Sequence, residues 1–201
     1  DGKPYLFIFD PVALPQEYVE CFKKMSVEAG FPGIYLVANV SDNSIKKEVM
    51  LQKGYDAVCY CDILGHAQQK RNTFWHKVYK HLQGILLNRP THVYDYSKHY
   101  KELIGEIDKD ENVIPQIVPQ WDHSPRGGRK TNIYINSTPE NFAKHVRMAM
   151  EAIKGKKEEH QILMLKSWNE WAEGNYMEPD LTHGRGYIDA LRQVVDEYRD
   201  K

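Results

Sequence analysis

The sequence predicts an α/β fold, because five short apolar segments alternate with segments of helical periodicity. Each apolar segment is nearly continuous, which is typical of strands in a parallel sheet that is covered on both faces. Each is also followed by polar or aromatic residues, so functional groups collect where the strands end. The predicted strands are residues 5–9, 34–38, 57–60, 114–118 and 162–165.

Helical periodicity places a helix after most of these strands. The best-marked helix is residues 139–154, because Ser137 and Thr138 offer a capping hydroxyl and Pro139 suits the first turn. Between residues 84 and 112 the pattern weakens, which predicts a long connection that carries a short helix. The other predicted helices are residues 15–29, 43–53, 74–86 and 188–198.

About five strand–helix units fit either the C-terminal part of a (β/α)8 TIM-type barrel or an open doubly wound sheet. A closed barrel typically needs about 250 residues, and the chain has 201. Nucleotide-binding sheets carry glycine-rich phosphate loops, and neither GxGxxG nor GxxxxGK[ST] occurs in the sequence. No linker divides the chain, so we predict a single domain over residues 1–201. Polar residues after successive strands favour the barrel: Asp10, Asn39, Asp62, Trp121, Asp122, Asn169 and Glu170.

The composition argues against several classes of partner. The 27 lysines and arginines are balanced by 28 aspartates and glutamates, so neither nucleic acid nor an anionic membrane surface is an expected partner. No apolar stretch approaches the roughly 20 residues that cross a bilayer, and we predict no membrane span. The cysteines Cys21, Cys59 and Cys61 are odd in number, which predicts unbridged thiols and a reducing, cytoplasmic location.

The nine histidines raise the question of a metal site. His66, His76 and His81 come nearest to a cluster, but their spacing matches neither HExxH nor another common ligand pattern. Solvated helix faces explain them better. We therefore predict no metal and no cofactor.

The segment of residues 167–180 combines carboxylates with aromatic rings directly after the last predicted strand. Glu170 and Glu173 are three residues apart, so a helical turn would place both carboxylates on one face. Two neighbouring acids in partly apolar surroundings can divide the roles of acid and base. Alternatively, one caps a turn and the other is solvated. Aromatic rings stack on sugars, so the flanking rings favour the catalytic interpretation over the turn cap. The predicted substrate-binding residues of this segment are Trp168, Asn169, Trp171, Tyr176 and Glu178.

A second cluster, residues 120–128, follows the fourth predicted strand. Trp121 would offer a stacking plane and Asp122 a carboxylate. Arg126 would clamp an anion or orient Asp122. Alternatively, Asp122 and Arg126 form a pair that only stiffens a surface loop. The position after a strand favours function, so we predict that these three residues bind substrate.

Together the motifs WNEWAEGNYMEPD (168–180) and QWDHSPR (120–126) resemble the WbsX-like family, also described as glycoside hydrolase family 99-like. Its members occur in polysaccharide and lipopolysaccharide biosynthesis loci, and the related family 99 contains endo-acting α-mannosidases. The resemblance implies a (β/α)8 barrel of which this chain supplies strands four to eight. An incomplete barrel exposes sheet edges, so we expect the isolated chain either to be inactive or to form a homo-oligomer.

The resemblance also implies separate roles for the two glutamates. Family 99 enzymes end their final strand in a similar Asn-Glu-Trp-X-Glu-Gly segment. This match places Glu170 on the base that engages the sugar 2-hydroxyl and Glu173 on the acid/base at the leaving oxygen. The implied reaction retains configuration through a 1,2-anhydro sugar. Ala172 stands where the hydrolases have His, so mannosidase specificity is not implied.

We therefore expect an enzyme that cleaves or rearranges an α-glycosidic bond of a polysaccharide or O-antigen glycan. One alternative is a glycosyltransferase that builds such a glycan, although the sequence shows no evident DxD motif or phosphate-binding helix terminus. The other alternative is a non-catalytic glycan-binding module. The presence of both Glu170 and Glu173 argues against it.

Overall fold

The computed structural model describes residues 2–42, 44–61, 92–128 and 131–199, together with Val78 and Leu82. Contacts divide the chain into two compact units. The first unit comprises residues 1–63, 105–116 and 152–164, and the second comprises residues 64–104, 117–151 and 165–201. Apart from Val78 and Leu82, the predicted helix 74–86 lies outside the described residues, as do Asp62, His66, His76 and His81.

The first unit is built on a parallel three-stranded sheet. The sheet consists of β1 (Tyr5–Ile8), β2 (Tyr35–Val40) and β3 (Ala57–Tyr60), in that order. Helix α1 (Gln16–Glu28) connects β1 to β2, and α2 (Lys47–Gln52) connects β2 to β3. These three strands and two helices confirm the first two strand–helix units of the prediction.

Both faces of this sheet are apolar, as the continuous hydrophobic segments predicted. Leu36 and Ala38 on one face pack with Val19 and Met50 of the helices. The alternate residue, Val37, packs on the other face together with Ala57, Cys59 and Ile114. Cys59 is buried, Cys21 is exposed, and none of the three cysteines is disulfide-bonded, which confirms the predicted thiols.

The second unit contains β4 (His92–Asp95), followed directly by the short helix α3 (Tyr96–His99). β4 pairs in parallel with β6 (Asn132–Ile135), and α4 (Ser124–Gly127) is the short helix that precedes β6. Helix α5 (Pro139–Ile153) follows β6.

The remaining elements are short, apart from the last helix. β5 (Gln116–Ile117) and β7 (Met164–Leu165) form a two-stranded sheet. β8 (Asn169–Glu170) and β9 (Asn175–Tyr176) form an antiparallel pair, and α6 (Gly186–Arg199) ends the described chain.

The predicted capping of α5 is confirmed, and the same turn holds α6. The Thr138 hydroxyl oxygen accepts a hydrogen bond from the Asn141 backbone at 3.3 Å. Tyr187 of α6 is buried, donates its hydroxyl proton to the Ser137 carbonyl at 2.8 Å, and lies edge-on to Phe142. Tyr187 therefore fixes the start of α6 against the start of α5.

The α/β class is confirmed, but the number of strands was underestimated. β4 and β6 were missed because each has only four residues with polar positions among the apolar ones, so neither forms a continuous hydrophobic segment. β4 lies in the predicted connection 84–112, which also carries the short helix expected there. Over the described ranges, the strands form one three-stranded and three two-stranded sheets and no closed barrel.

No helix of the described ranges is both long enough and apolar enough to cross a bilayer.

His145 of α5 is a fully buried imidazole in the second unit. Its Nδ1 lies 2.9 Å from the Tyr96 hydroxyl, which donates its proton to the Val118 carbonyl at 2.6 Å. Nδ1 therefore carries the proton in this contact, and Nε2 is buried without a hydrogen-bond partner among the described residues. Burial is the main reason that the pKa of His145 falls from 6.5 to about 4.

This depressed pKa predicts a loss of stability in mild acid. Above pH 6.5 the imidazole is neutral in both the folded and the unfolded chain. Between about pH 6.5 and 4 only the unfolded chain takes up the proton, so the free energy of unfolding falls by roughly 3 kcal/mol. Urea unfolding of the wild type and of His145→Asn at pH 7.5, 5.5 and 4.5 would measure this. The variant should show a shallower loss, and identical pH dependence would contradict the prediction.

Candidate functional site

Glu170 and Glu173 lie on the tight hairpin formed by β8 and β9. Glu170 is the last residue of β8 and pairs with Asn175 of β9. A single 3-10 turn (Trp171–Glu173) and Gly174, which has a positive φ of 53°, connect the two strands. The predicted helical turn is therefore present as one 3-10 turn that separates the two glutamates.

Asn175 anchors this hairpin through a fully buried side chain. Its amide nitrogen donates to the carbonyls of Gln120 at 2.6 Å and Lys166 at 3.0 Å. Its side-chain oxygen accepts from the Ser167 hydroxyl at 2.8 Å. Because a buried amide must pair its donors and acceptor, these bonds fix β9 to the chain segments on either side. Asn169, the asparagine predicted to bind substrate, is exposed, whereas no role was predicted for Asn175.

The predicted residue Asp122 contacts the hairpin through its backbone. Its N–H donates to the Glu173 carbonyl at 3.0 Å. Its carboxylate accepts from the Ser124 backbone at 2.9 Å and so holds the turn that begins α4. Gly174 packs directly on this backbone, since a Cβ there would lie 2.9 Å from the Asp122 Cβ. Asp122 thereby sets the position of Glu173.

The Glu173 carboxylate is bound by two side chains of the same segment. Arg126 Nη1 lies 3.1 Å from Glu173 Oε1, and His123 Nε2 lies 3.4 Å from the same oxygen. The sequence analysis expected Arg126 to clamp an anion or orient Asp122, and the structure pairs it with Glu173 instead. His123 was given no role, although its spacing of three residues from Arg126 was a usable signal.

An open pocket of about 480 Å³ lies beside these groups. Its lining includes Glu170, Ala172, Pro125 and Arg126. Arg126 thus contacts Glu173 and lines the same pocket as Glu170. Ala172, the position that departs from the family 99 pattern, also faces the pocket.

Two tryptophans of the segment 167–180 remain half exposed, Trp168 and Trp171, each at 48%. The Trp171 ring stacks on Tyr176 with 3.7 Å between centroids and 13° between planes. Its indole N–H donates to Glu178 at 2.6 Å. The Trp168 carbonyl accepts from the backbone N–H groups of Met177 and Glu178, which secures the base of the hairpin.

Trp121 and Tyr176 each lie beside a charged group. The Lys166 ammonium lies 4.9 Å from the centre of the Trp121 ring, so one face of that ring is covered. Burial and the nearby Asp180 carboxylate raise the pKa of Tyr176. The Tyr176 hydroxyl is therefore a neutral donor at physiological pH.

No group of three or more His, Cys, Asp or Glu side chains among the described residues is arranged to hold a metal ion. The polar groups of the site are instead paired with one another or face the pocket.

Comparison with known proteins places these features in a family. The chain is 29% identical over 104 residues to "Uncharacterized protein WxcX" of Xanthomonas campestris pv. campestris strain B100, covering 51% of this chain and 15% of that protein. A WxcX protein from a second strain is 31% identical over 101 residues, covering 48% of this chain and 14% of that protein. The chain therefore spans about one seventh of the length of these curated relatives.

A solved structure described as "Glycoside hydrolase-like protein" has a similar fold. The TM-score is 0.56 at 16% identity, and the match covers 96% of this chain and 54% of that one. The family model described as "Glycosyltransferase WbsX" matches residues 1–191. With almost the whole chain matched, this protein belongs to the WbsX glycosyltransferase family.

Proposed function

We propose that this chain carries the catalytic hairpin of a carbohydrate-active enzyme that acts on α-glycosidic bonds of a polysaccharide or O-antigen glycan. One observation carries the proposal: Arg126 contacts Glu173 and lines the pocket that Glu170 also lines. A carboxylate in the pocket and a second one held by an arginine that lines it are placed to exchange protons with a sugar hydroxyl and with a glycosidic oxygen. The membership of the WbsX family and the glycoside hydrolase-like fold support the same substrate class.

The proposed reaction assigns one proton transfer to each glutamate. Glu170 removes the proton of the sugar 2-hydroxyl, and that oxygen attacks the anomeric carbon. Glu173 protonates the leaving glycosidic oxygen as its bond to the anomeric carbon breaks. In the second step a water or an acceptor hydroxyl opens the 1,2-anhydro sugar. The entering water or hydroxyl gives its proton to Glu173, and Glu170 returns a proton to the sugar 2-oxygen.

The aromatic residues of the hairpin would hold the sugar during these steps. Trp171 has one face on Tyr176 and is half exposed, so its other face is open to a pyranose ring. The apolar face of a sugar gains dispersion energy against such a ring, and polar groups at its rim fix orientation. Trp168 is exposed on the same segment and would extend this surface.

The second candidate function is a glycosyltransferase. The name of the family, Glycosyltransferase WbsX, favours it, and the proposed chemistry needs only one change. An acceptor hydroxyl would replace water in the second step, and a glycan would be extended rather than cut. The two functions therefore share Glu170 and Glu173 and differ in the group that enters.

Fluoride release from α-glycosyl fluorides would test the proposal. The full-length protein should release fluoride from at least one member of a panel of common pyranosyl fluorides, because fluoride is a good leaving group. The same sugar with a 2-O-methyl group should not react, since its 2-oxygen has no proton to lose. Proton NMR should show a first product of retained configuration. That product is a free sugar for a hydrolase and a longer glycoside, formed with an added acceptor glycan, for a transferase.

Equal rates with the free and the methylated 2-hydroxyl would contradict the proposed mechanism. An absence of release across the whole panel, with and without acceptor, would contradict the proposed function.

A further inference from the structure

We infer that His123 and Arg126 are positioning residues, which hold Glu173 by its Oε1 atom and leave Oε2 to the substrate. This inference rests on the proposed function, because it concerns how one of the two proposed catalytic carboxylates is oriented. Neither residue is assigned this role by the family description or by the resemblance on which the site was first predicted.

Both side chains converge on a single oxygen. Arg126 Nη1 donates a hydrogen bond to Glu173 Oε1 at 3.1 Å, and His123 Nε2 lies at ion-pair distance, 3.4 Å, from the same oxygen. The Glu173 side chain is 21% exposed, so the carboxylate is reachable but largely enclosed. With Oε1 contacted by both side chains, Oε2 is the oxygen through which a proton can pass to or from a sugar. Side chains that fix one carboxylate oxygen also fix the rotamer that aims the second.

The backbone of Glu173 is held by the same short segment. The Asp122 N–H donates to the Glu173 carbonyl, and the Asp122 carboxylate holds the turn from which Arg126 projects. The segment 122–126 therefore contacts Glu173 both at its backbone carbonyl and at its side-chain carboxylate. A change in this segment would move the carboxylate as a unit with the loop.

The imidazole of His123 is itself held in place. A Cβ added to Gly127 would lie 2.9 Å from His123 Nδ1, so this edge of the ring packs closely on the backbone of α4. The ring is thereby turned so that Nε2 faces Glu173.

Glu170 is placed differently from Glu173. It lines the pocket, and within the described ranges its side chain has no hydrogen-bond or ion-pair partner. The two carboxylates are therefore unlike: one is contacted by two side chains and the other faces the pocket. Only Glu173 is expected to depend on neighbouring side chains for its orientation.

The test compares His123→Gln, Arg126→Gln and Arg126→Lys in the full-length protein, with Arg185→Gln as a matched control. Arg185 is an exposed arginine whose pair with Asp189 spans 3.7 Å on the surface. The first readout is the carbon-13 signal of the Glu173 carboxyl group in protein labelled with [5-13C]glutamate, assigned by its loss in Glu173→Gln. The second is kcat and KM for the methyl α-glycoside of the sugar whose fluoride the wild type turns over, because methoxide leaves only with the help of a proton and its release therefore depends on Glu173.

We expect His123→Gln and Arg126→Gln to shift the Glu173 carboxyl signal and to leave the Glu170 signal in place. Turnover should fall about tenfold to a hundredfold with little change in KM, the size expected for a lost hydrogen bond to a charged group. Arg126→Lys should keep part of the turnover, because the lysine keeps the positive charge. It should not keep all of it, because an ammonium group lacks the planar set of N–H donors of a guanidinium group. Arg185→Gln should change neither readout.

The two proposals fail in distinguishable ways. An unmoved Glu173 signal in both His123→Gln and Arg126→Gln overturns the positioning role, even where Glu173→Gln has abolished turnover. A signal that moves in an enzyme whose turnover survives Glu173→Gln overturns the proposed function and the positioning role with it.

Discussion

Replacing Glu170 or Glu173 by Gln is expected to lower turnover of an unactivated glycan by about a hundredfold to ten-thousandfold, the usual contribution of a general acid or base. Gln has nearly the same shape as Glu and cannot exchange the proton, so binding of the glycan should change much less than kcat. Steady-state kinetics and equilibrium binding of the same glycan would separate the two effects. Glu20→Gln, a change on an exposed face of α1, is the matched control and should behave as wild type.

The leaving group distinguishes the two glutamates. Glu173 is proposed to protonate the leaving oxygen, so Glu173→Gln should recover activity on α-glycosyl fluorides or on aryl glycosides of acidic phenols, which leave with little need of a proton. Glu170 is proposed to activate the 2-hydroxyl, which every substrate needs. Glu170→Gln should therefore be impaired with good and poor leaving groups alike. The reverse pattern would exchange the roles, and full activity in both variants would refute the proposed function.

Gly174→Ala is expected to destabilise the protein by an amount on the order of 2–5 kcal/mol. The positive φ of 53° at this position strains any residue that has a Cβ, at about 1–2 kcal/mol. The new methyl would also lie 3.0 Å from both the backbone nitrogen and the backbone oxygen of Asp122, which have little room to move. The hairpin and the segment 122–126 would be forced apart, so turnover should fall together with stability.

Gly184 provides a matched control for this prediction. Its φ of 54° is nearly the same, and a Cβ there would meet nothing within 4 Å. Gly184→Ala should therefore cost only the conformational strain of about 1–2 kcal/mol and leave turnover intact. Urea unfolding of both variants and the wild type measures the difference. Equal losses for the two variants would show that the close approach to Asp122 carries no energetic weight.

The sequence was informative where a pattern is long or continuous. β3 occupies the four residues predicted for it, and α5 begins at the predicted Pro139. It was less informative for β4, β6, β8 and β9, whose two to four residues include polar ones and form no continuous apolar segment. Without such a segment, a short strand carries no pattern that identifies it before its pairing partner is known.

The residue types of the candidate site were predictable, and their partners were not. Glu170 and Glu173 were selected from their spacing and aromatic neighbours. The contact between Arg126 and Glu173 joins residues 47 positions apart, which no local pattern reports. For the same reason Asn175 could not be told from Asn169 before the hairpin was known. The roles of these residues, the barrel, the homo-oligomer and the cytoplasmic location stay predictions.

The Trp171 indole is held by two contacts that do not require a ligand. Its ring lies on Tyr176 and its N–H is bound to Glu178. A large side chain that is ordered only on binding loses rotamer freedom at a cost of about 0.5–1.5 kcal/mol. Trp171 has lost that freedom during folding, so a sugar that docks on it meets a rigid surface and keeps more of the contact energy as affinity. The proposed glycan-binding surface of the hairpin therefore has its shape set before any glycan binds.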